Sequence, residues 1–159
     1  MSDTKTHAPG AQLVLREHAL RAAIAGALAG AGFSIGEAAP DLLVLDAGAE
    51  NKSLLTPVML APEALAAIAR FAGNPVETQR SIILVADADG PAREAFLGSV
   101  RALARALAPG LRVNGLAPLN AGEAMDVAQA GMACAYLACA VAVTGQVIEI
   151  AASKGARVF

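Results

Sequence analysis

Two patterns of apolar residues alternate along the chain. Strand candidates appear at 12–15 (QLVL), 41–46 (DLLVLD), 81–86 (SIILVA) and, with alternation, at 111–116 (LRVNGL). The continuous apolar runs DLLVLD and SIILVA are typical of strands buried on both faces of a parallel sheet. Between them, apolar positions recur every three or four residues, the spacing of helices that lie against a sheet. The stretch LRAAIAGALAGAG (20–32) predicts a helix of small residues that exits through Gly30 and Gly32. Pro62 opens a second helix, PEALAAIARFAG, with Leu65, Ile68 and Phe71 on neighbouring faces and Gly73 near its end. A third runs over 91–108: Phe96, Val100, Leu103 and Leu107 repeat at helical spacing, and Arg93, Arg101 and Arg105 form another stripe. Its N-cap is either Asp87 or Asp89.

Asn120 and Glu123 have the spacing of a capping box and predict the start of a helix over 121–140. A brief strand at 33–35 and a last one at 141–150, with a glycine break, complete the pattern, while 47–60 reads as loop. Strand and helix alternate throughout, which implies βαβ crossovers and an α/β, Rossmann-like, mostly parallel sheet flanked by helices. One domain over 11–152 is expected, between a flexible N-terminal tail (1–10) and a C-terminal tail (153–159).

Composition changes this picture in one respect. The chain is 56% hydrophobic but 3% aromatic, has no Trp, and carries 16% charged residues with a mean hydropathy of +0.54. Small side chains must supply the packing, and so little charge predicts a large apolar interface with another subunit. With a net charge of -2 and scattered arginines, no basic stripe for nucleic acid is present. The opening MSDTKTHAPG is polar, and apolar stretches are broken before membrane-spanning length, so no signal peptide, no membrane partner and a cytoplasmic location are expected. Cys134 and Cys139 fit no zinc pattern and are expected to be buried, inert thiols. His18 beside Glu17 reads as a solvated helix start, and Asp46 with Glu50 lacks a supporting cluster of metal ligands.

Four stretches in order resemble the short-chain dehydrogenase/reductase family of Rossmann-fold oxidoreductases. DLLVLDAG (41–48) is similar to the family's strand ending in Asn-Asn-Ala-Gly, and VRALARALAPGLRVNGLAPL (100–119) to its long interface helix followed by Ile-Arg-Val-Asn and a Pro-Gly turn. GEAMDVAQAGMACAYLA (122–138) resembles the late helix and VTGQVIEI (143–150) the Thr-Gly-Gln strand after it. The pairing of LRVNGLAP with VTGQVIEI is the most specific part, and the likeness spans most of 12–150.

The same alignment marks departures from the family pattern. Arg16, Glu17 and His18 stand where the family has the glycine-rich turn that admits a pyrophosphate, and Glu17 adds a charge that repels it. The segment between FSIGEAAP and DLLVLD is too short for the family's additional helix and strand. Asp89 falls at the family's catalytic Tyr position and Arg93 at its Lys position, and neither reproduces the proton relay. By themselves the two read as a helix N-cap with an i,i+4 ion pair. Asn114 matches the strand-motif Asn, but Leu119 replaces the glycine after Pro118. Tyr136 lies among apolar residues and is expected in core or interface.

The resemblance therefore implies a shortened, non-catalytic family member with no catalytic, cofactor-binding or metal residues of its own. It is expected to assemble with an active family member, as a heteromer and specifically a heterotetramer, or with itself. NAD(P) is expected in the partner, whose substrate would be a hydroxyacyl or oxoacyl thioester or similar alcohol/ketone. The expected interface residues are Phe96, Val100, Leu103, Leu107, Met132, Tyr136, Val147 and Ile148. The alternative is an independent enzyme or small-ligand binder that reuses the strand-end crevice through Asp46, Asp87, Asp89 and Arg93.

Overall fold

A computed structural model describes residues 8–36, 40–47, 60–73, 80–86 and 93–153, with the side chain of Arg93 excepted. Six strands, β1 (Gly10–Val14), β2 (Ser34–Ile35), β3 (Leu42–Asp46), β4 (Arg80–Val85), β5 (Leu111–Pro118) and β6 (Val147–Ile150), form one parallel sheet in the order β2-β1-β3-β4-β5-β6. Four helices connect them: α1 (His18–Gly30), α2 (Pro62–Gly73), α3 (Arg93–Leu107) and α4 (Val127–Cys139).

Alternation along the buried strands divides the core into two layers. Leu42, Val44, Ile83, Val85 and Leu116 face α1 and α4, while Leu43, Leu45, Ile82, Leu84 and Val113 face α2 and α3. Because β3 and β4 are covered on both sides, Leu42–Leu45 and Ile82–Val85 are apolar without interruption. Each such Leu, Ile or Val contributes about 1.5–3 kcal/mol by leaving water.

Small residues allow the layers to close. A Cβ on Gly131 of α4 would lie 2.9 Å from the Ala23 carbonyl oxygen of α1, so the two helices approach backbone to backbone. Across the sheet, Gly115 of β5 admits Phe96 and Val100 of α3.

Two buried arginines fix helix ends to the sheet. Arg112 of β5 donates from Nη1 to the carbonyls of Leu137 (3.1 Å) and Ala140 (2.8 Å), and from Nη2 to that of Ala138 (3.1 Å). It thereby closes the C-terminus of α4, where a cation also meets the negative end of the helix dipole. Burial lowers the guanidinium pKa from its ordinary value, and the electrostatic interaction with Cys139 acts in the opposite direction. Arg80 of β4 does the same on the other face: it donates to the carbonyls of Phe71 and Ala72 at the end of α2 and stacks 4.6 Å from the Phe71 ring centroid.

Three expected boundaries move. Asn120 does donate to Glu123 (Nδ2 to Oε2, 3.0 Å), but the pair closes a turn. The helix begins at Val127, capped by Asp126, whose Oδ1 accepts from the Gln129 amide at 2.9 Å. The last strand covers only Val147–Ile150, because residues 143–146 turn to bond with β5 from its side. The first strand begins at Gly10, inside the expected tail; Gly10 is held through its amide by the Asp41 carboxylate at 3.0 Å.

Candidate functional site

The LRVNG and VTGQ segments, separated by some thirty residues, are in direct contact. Asn114 is fully buried: its Nδ2 donates to the Val143 carbonyl at 3.0 Å and its Oδ1 accepts from the Gln146 amide at 3.1 Å. The Val113 amide donates to Thr144 Oγ1 at 3.0 Å, and the Gly145 amide to the Val113 carbonyl at 2.7 Å. Asn114 therefore positions the α4–β6 connection, and its partners are protein groups.

All six strands end on one side. The chain leaves β1 through α1 toward β2 and leaves β3 through α2 toward β4, so the order reverses between β1 and β3. Ligands of open α/β sheets bind at such a point. Here the Arg16 amide, at the end of β1, donates to Asp46 Oδ2 at 2.6 Å, and Glu17 caps α1 by accepting from the Leu20 amide at 3.1 Å. Two cavities flank this contact. One, of about 280 Å³, lies toward α2 and is lined by Val14, Arg16, Leu45, Asp46, Glu63 and Ala64. The other, also about 280 Å³, lies toward α4 and is lined by Arg16, Glu17, Asp46, Val85, Met125 and Val127.

Of the alternative crevice set, only Asp46 is described in full. Asp87 and Asp89 lie outside the described residues, as does Glu50, and of Arg93 only its place as the first residue of α3 is described. Arg16 and Glu17, which stand where the family has its glycine-rich turn, share the crevice with Asp46, as do Arg21 and Glu63; the position of Arg16 and Glu17 just after an apolar strand was the available signal. Among the described residues no cluster of three or more His, Cys, Asp or Glu could hold a metal, and no helix is long and apolar enough to cross a membrane.

The expected interface set divides. Met132 and Tyr136 are 64% and 59% exposed, one turn apart on α4. Phe96 and Val100 are instead core residues of this chain, buried against Gly115; an amphipathic stripe specifies a buried face without saying which surface covers it. Leu103, Leu107 and Val147 pack partly onto the same layer, and Ile148 onto the opposite one. The cysteines also divide. Cys134 is buried, which pushes its thiol up to about 12, whereas Cys139, at the last position of α4, is exposed and not the buried thiol expected.

The fold matches solved oxidoreductases. The alternative dihydrofolate reductase FolM of Brucella canis, complexed with NADP, is 18% identical with a TM-score of 0.62, over 89% of this chain and 92% of that one. FolM of Brucella suis, also with NADP, is 16% identical with a TM-score of 0.61, over 90% and 93%. A short-chain dehydrogenase/reductase (glucose/ribitol dehydrogenase) of Brucella melitensis is 17% identical with a TM-score of 0.58, over 90% and 94%. No curated protein matches the sequence.

The NADP complexes correct the expectation that this chain is without a cofactor, because proteins of this fold are solved with the nucleotide in place. Loss of the glycine turn changes the local donors and does not remove the crevice. The donor set suits a dinucleotide at Arg16, which lines both cavities, and conflicts with it at Glu17 and Asp46, whose carboxylates hold amides of the turn. The family described as SDR-like, short chain dehydrogenase-like protein, matches residues 56–150. A shared parallel sheet and this match over more than half of the chain lead to one assignment: the chain belongs to the SDR-like family of short chain dehydrogenase-like proteins.

Proposed function

We propose that this chain is a non-catalytic family subunit that assembles with, and stabilises, a catalytically intact short-chain dehydrogenase/reductase acting on a hydroxyacyl or oxoacyl thioester or similar alcohol/ketone. The observation that carries the reading is the outer face of α4, a helix without a charged residue that turns Met132 and Tyr136 to solvent. Exposed apolar anchors at helical spacing are costly in an isolated subunit and are the side chains that interfaces bury. Asp89 and Arg93 at the positions of the proton relay support a role other than proton transfer by this chain. Affinity purification of the tagged full chain from its native source tests the reading. Recovery of a reductase that carries the intact Tyr and Lys supports it, and a monomer that purifies alone overturns it.

A second reading has its own support. The two cavities meeting at Arg16 and Asp46 lie at the sheet's switch point, and the Brucella neighbours are named with NADP. In this reading the crevice holds a small ligand, nucleotides included, with or without a partner subunit. Calorimetric titration with NADP and with adenosine tests it, and heat from neither ligand overturns it.

A further inference from the structure

Ser81 of β4 and Arg112 of β5 are partners in the register of the sheet. By strand alternation from Ile83 and Leu116, both side chains leave it on the face covered by α1 and α4. Neighbouring strands lie about 4.8 Å apart, so the two side chains stand next to each other. Both are more than nine-tenths buried, with 3% of Ser81 and 6% of Arg112 exposed. Arg112 uses Nη1 and Nη2 on the carbonyls of α4. Among the described residues, Ser81 Oγ and Arg112 Nε are the buried side-chain atoms left without a hydrogen-bond partner. Buried polar groups are as a rule matched, as those of Asn114 are on the same strand. Two exceptions on one register pair, facing one layer, point to a single cause.

We propose that Ser81 and Arg112 hold one internal water molecule, which accepts from Arg112 Nε, donates to Ser81 Oγ and completes the anchor of α4. Nε carries one N–H and can only donate, whereas a hydroxyl oxygen accepts; a water molecule is the smallest ligand that serves both. Internal waters sit where two or more buried polar groups would otherwise go unmatched. An anion fits less well, because the guanidinium already meets three carbonyl oxygens at the negative end of the α4 dipole. A neutral ligand adds no repulsion there. Bridged in this way, β4 joins β5 in holding residues 137–140, and Arg112 is kept in the orientation from which its Nη atoms reach the helix. Both residues are second in their strands, so the site lies at the far end of the sheet from the crevice and depends on neither functional reading.

The test is a crystal structure of the full chain at a resolution that shows ordered water, with a second crystal soaked in bromide. Hydrogen exchange of the wild type and Ser81→Ala accompanies it, after thermal melting establishes that the variant is folded. The expected result is one density peak within hydrogen-bond distance of both Ser81 Oγ and Arg112 Nε, with no anomalous signal in the bromide crystal. The amides of residues 137–140 should exchange faster by about fivefold in Ser81→Ala, the scale of one hydrogen bond lost from the anchor. A direct bond between the two side chains, or no peak that reaches both atoms, overturns the proposal from the wild type alone, whether or not the variant folds. Bromide at the peak makes the ligand an anion and also overturns it. Unchanged exchange at 137–140 in a folded Ser81→Ala overturns the anchoring role given to the water.

Discussion

Gly115 of β5 lies directly under Phe96 of α3: a Cβ at the glycine would come within 2.9 Å of the ring's Cε1 and 3.1 Å of Val100 Cγ2. Gly115→Ala therefore forces the ring off the sheet. The expected cost is about 1–3 kcal/mol, the range for overpacking a closed core, read as a lower urea midpoint at unchanged slope. A variant that pairs it with Phe96→Leu should recover part of the loss.

Arg112 offers a second test. Its removal in Arg112→Ala strips three carbonyls at the end of α4 of their donor, with an expected loss of about 3 kcal/mol. Arg112→Lys should recover little of this, because one ammonium cannot reproduce the fork of the guanidinium. Hydrogen exchange should locate the damage in residues 134–140 rather than along β5.

Cys134 predicts a pH dependence with a defined sign. Burial raises its thiol from the ordinary 9.0 to about 12. Above pH 9 the unfolded chain loses this proton while the folded chain keeps it, so stability is fully present below pH 9 and is lost as pH rises toward 12. Cys134→Ala should flatten that decline in alkaline urea titrations. A thiol reagent near neutral pH should label Cys139 and reach Cys134 only on unfolding.

On the assembly reading, Met132→Glu and Tyr136→Glu should weaken association with the partner by about thirtyfold, the scale of losing one interface anchor. Each should leave the isolated chain within about 0.5 kcal/mol of wild type, because both side chains already face water. Sedimentation of the complex and melting of the lone chain check the two halves.

The sheet was legible where burial makes strands monotonous. DLLVLD and SIILVA are continuous apolar runs, and β3 and β4 fall within one residue of them. Pro62–Gly73 is legible to the residue, since proline and glycine mark its two ends. At the start of α4 sequence misleads for a physical reason: Asn120 and Glu123 do bond, but Asp126 is the side chain that meets a helical amide. The crevice was half legible. Asp46 stands out at the end of an apolar strand, but its bond to the Arg16 amide joins residues thirty apart and depends on β1 pairing beside β3. Nothing in the spacing of the α3 stripe separates a face covered by this chain's own sheet from one covered by a neighbour, so only the structure places Phe96 and Val100 in the core.

Arg80 and Arg112 anchor one helix on each face, and both do so from the amino ends of their strands. At the opposite end of the sheet, Arg16 and Asp46 join the turn after β1 to the end of β3. Among the described residues, the two arginine anchors thus lie at the far end of the sheet from the turn after β1. A change of sequence at the turn after β1 therefore leaves the keying of α2 and α4 to β4 and β5 untouched.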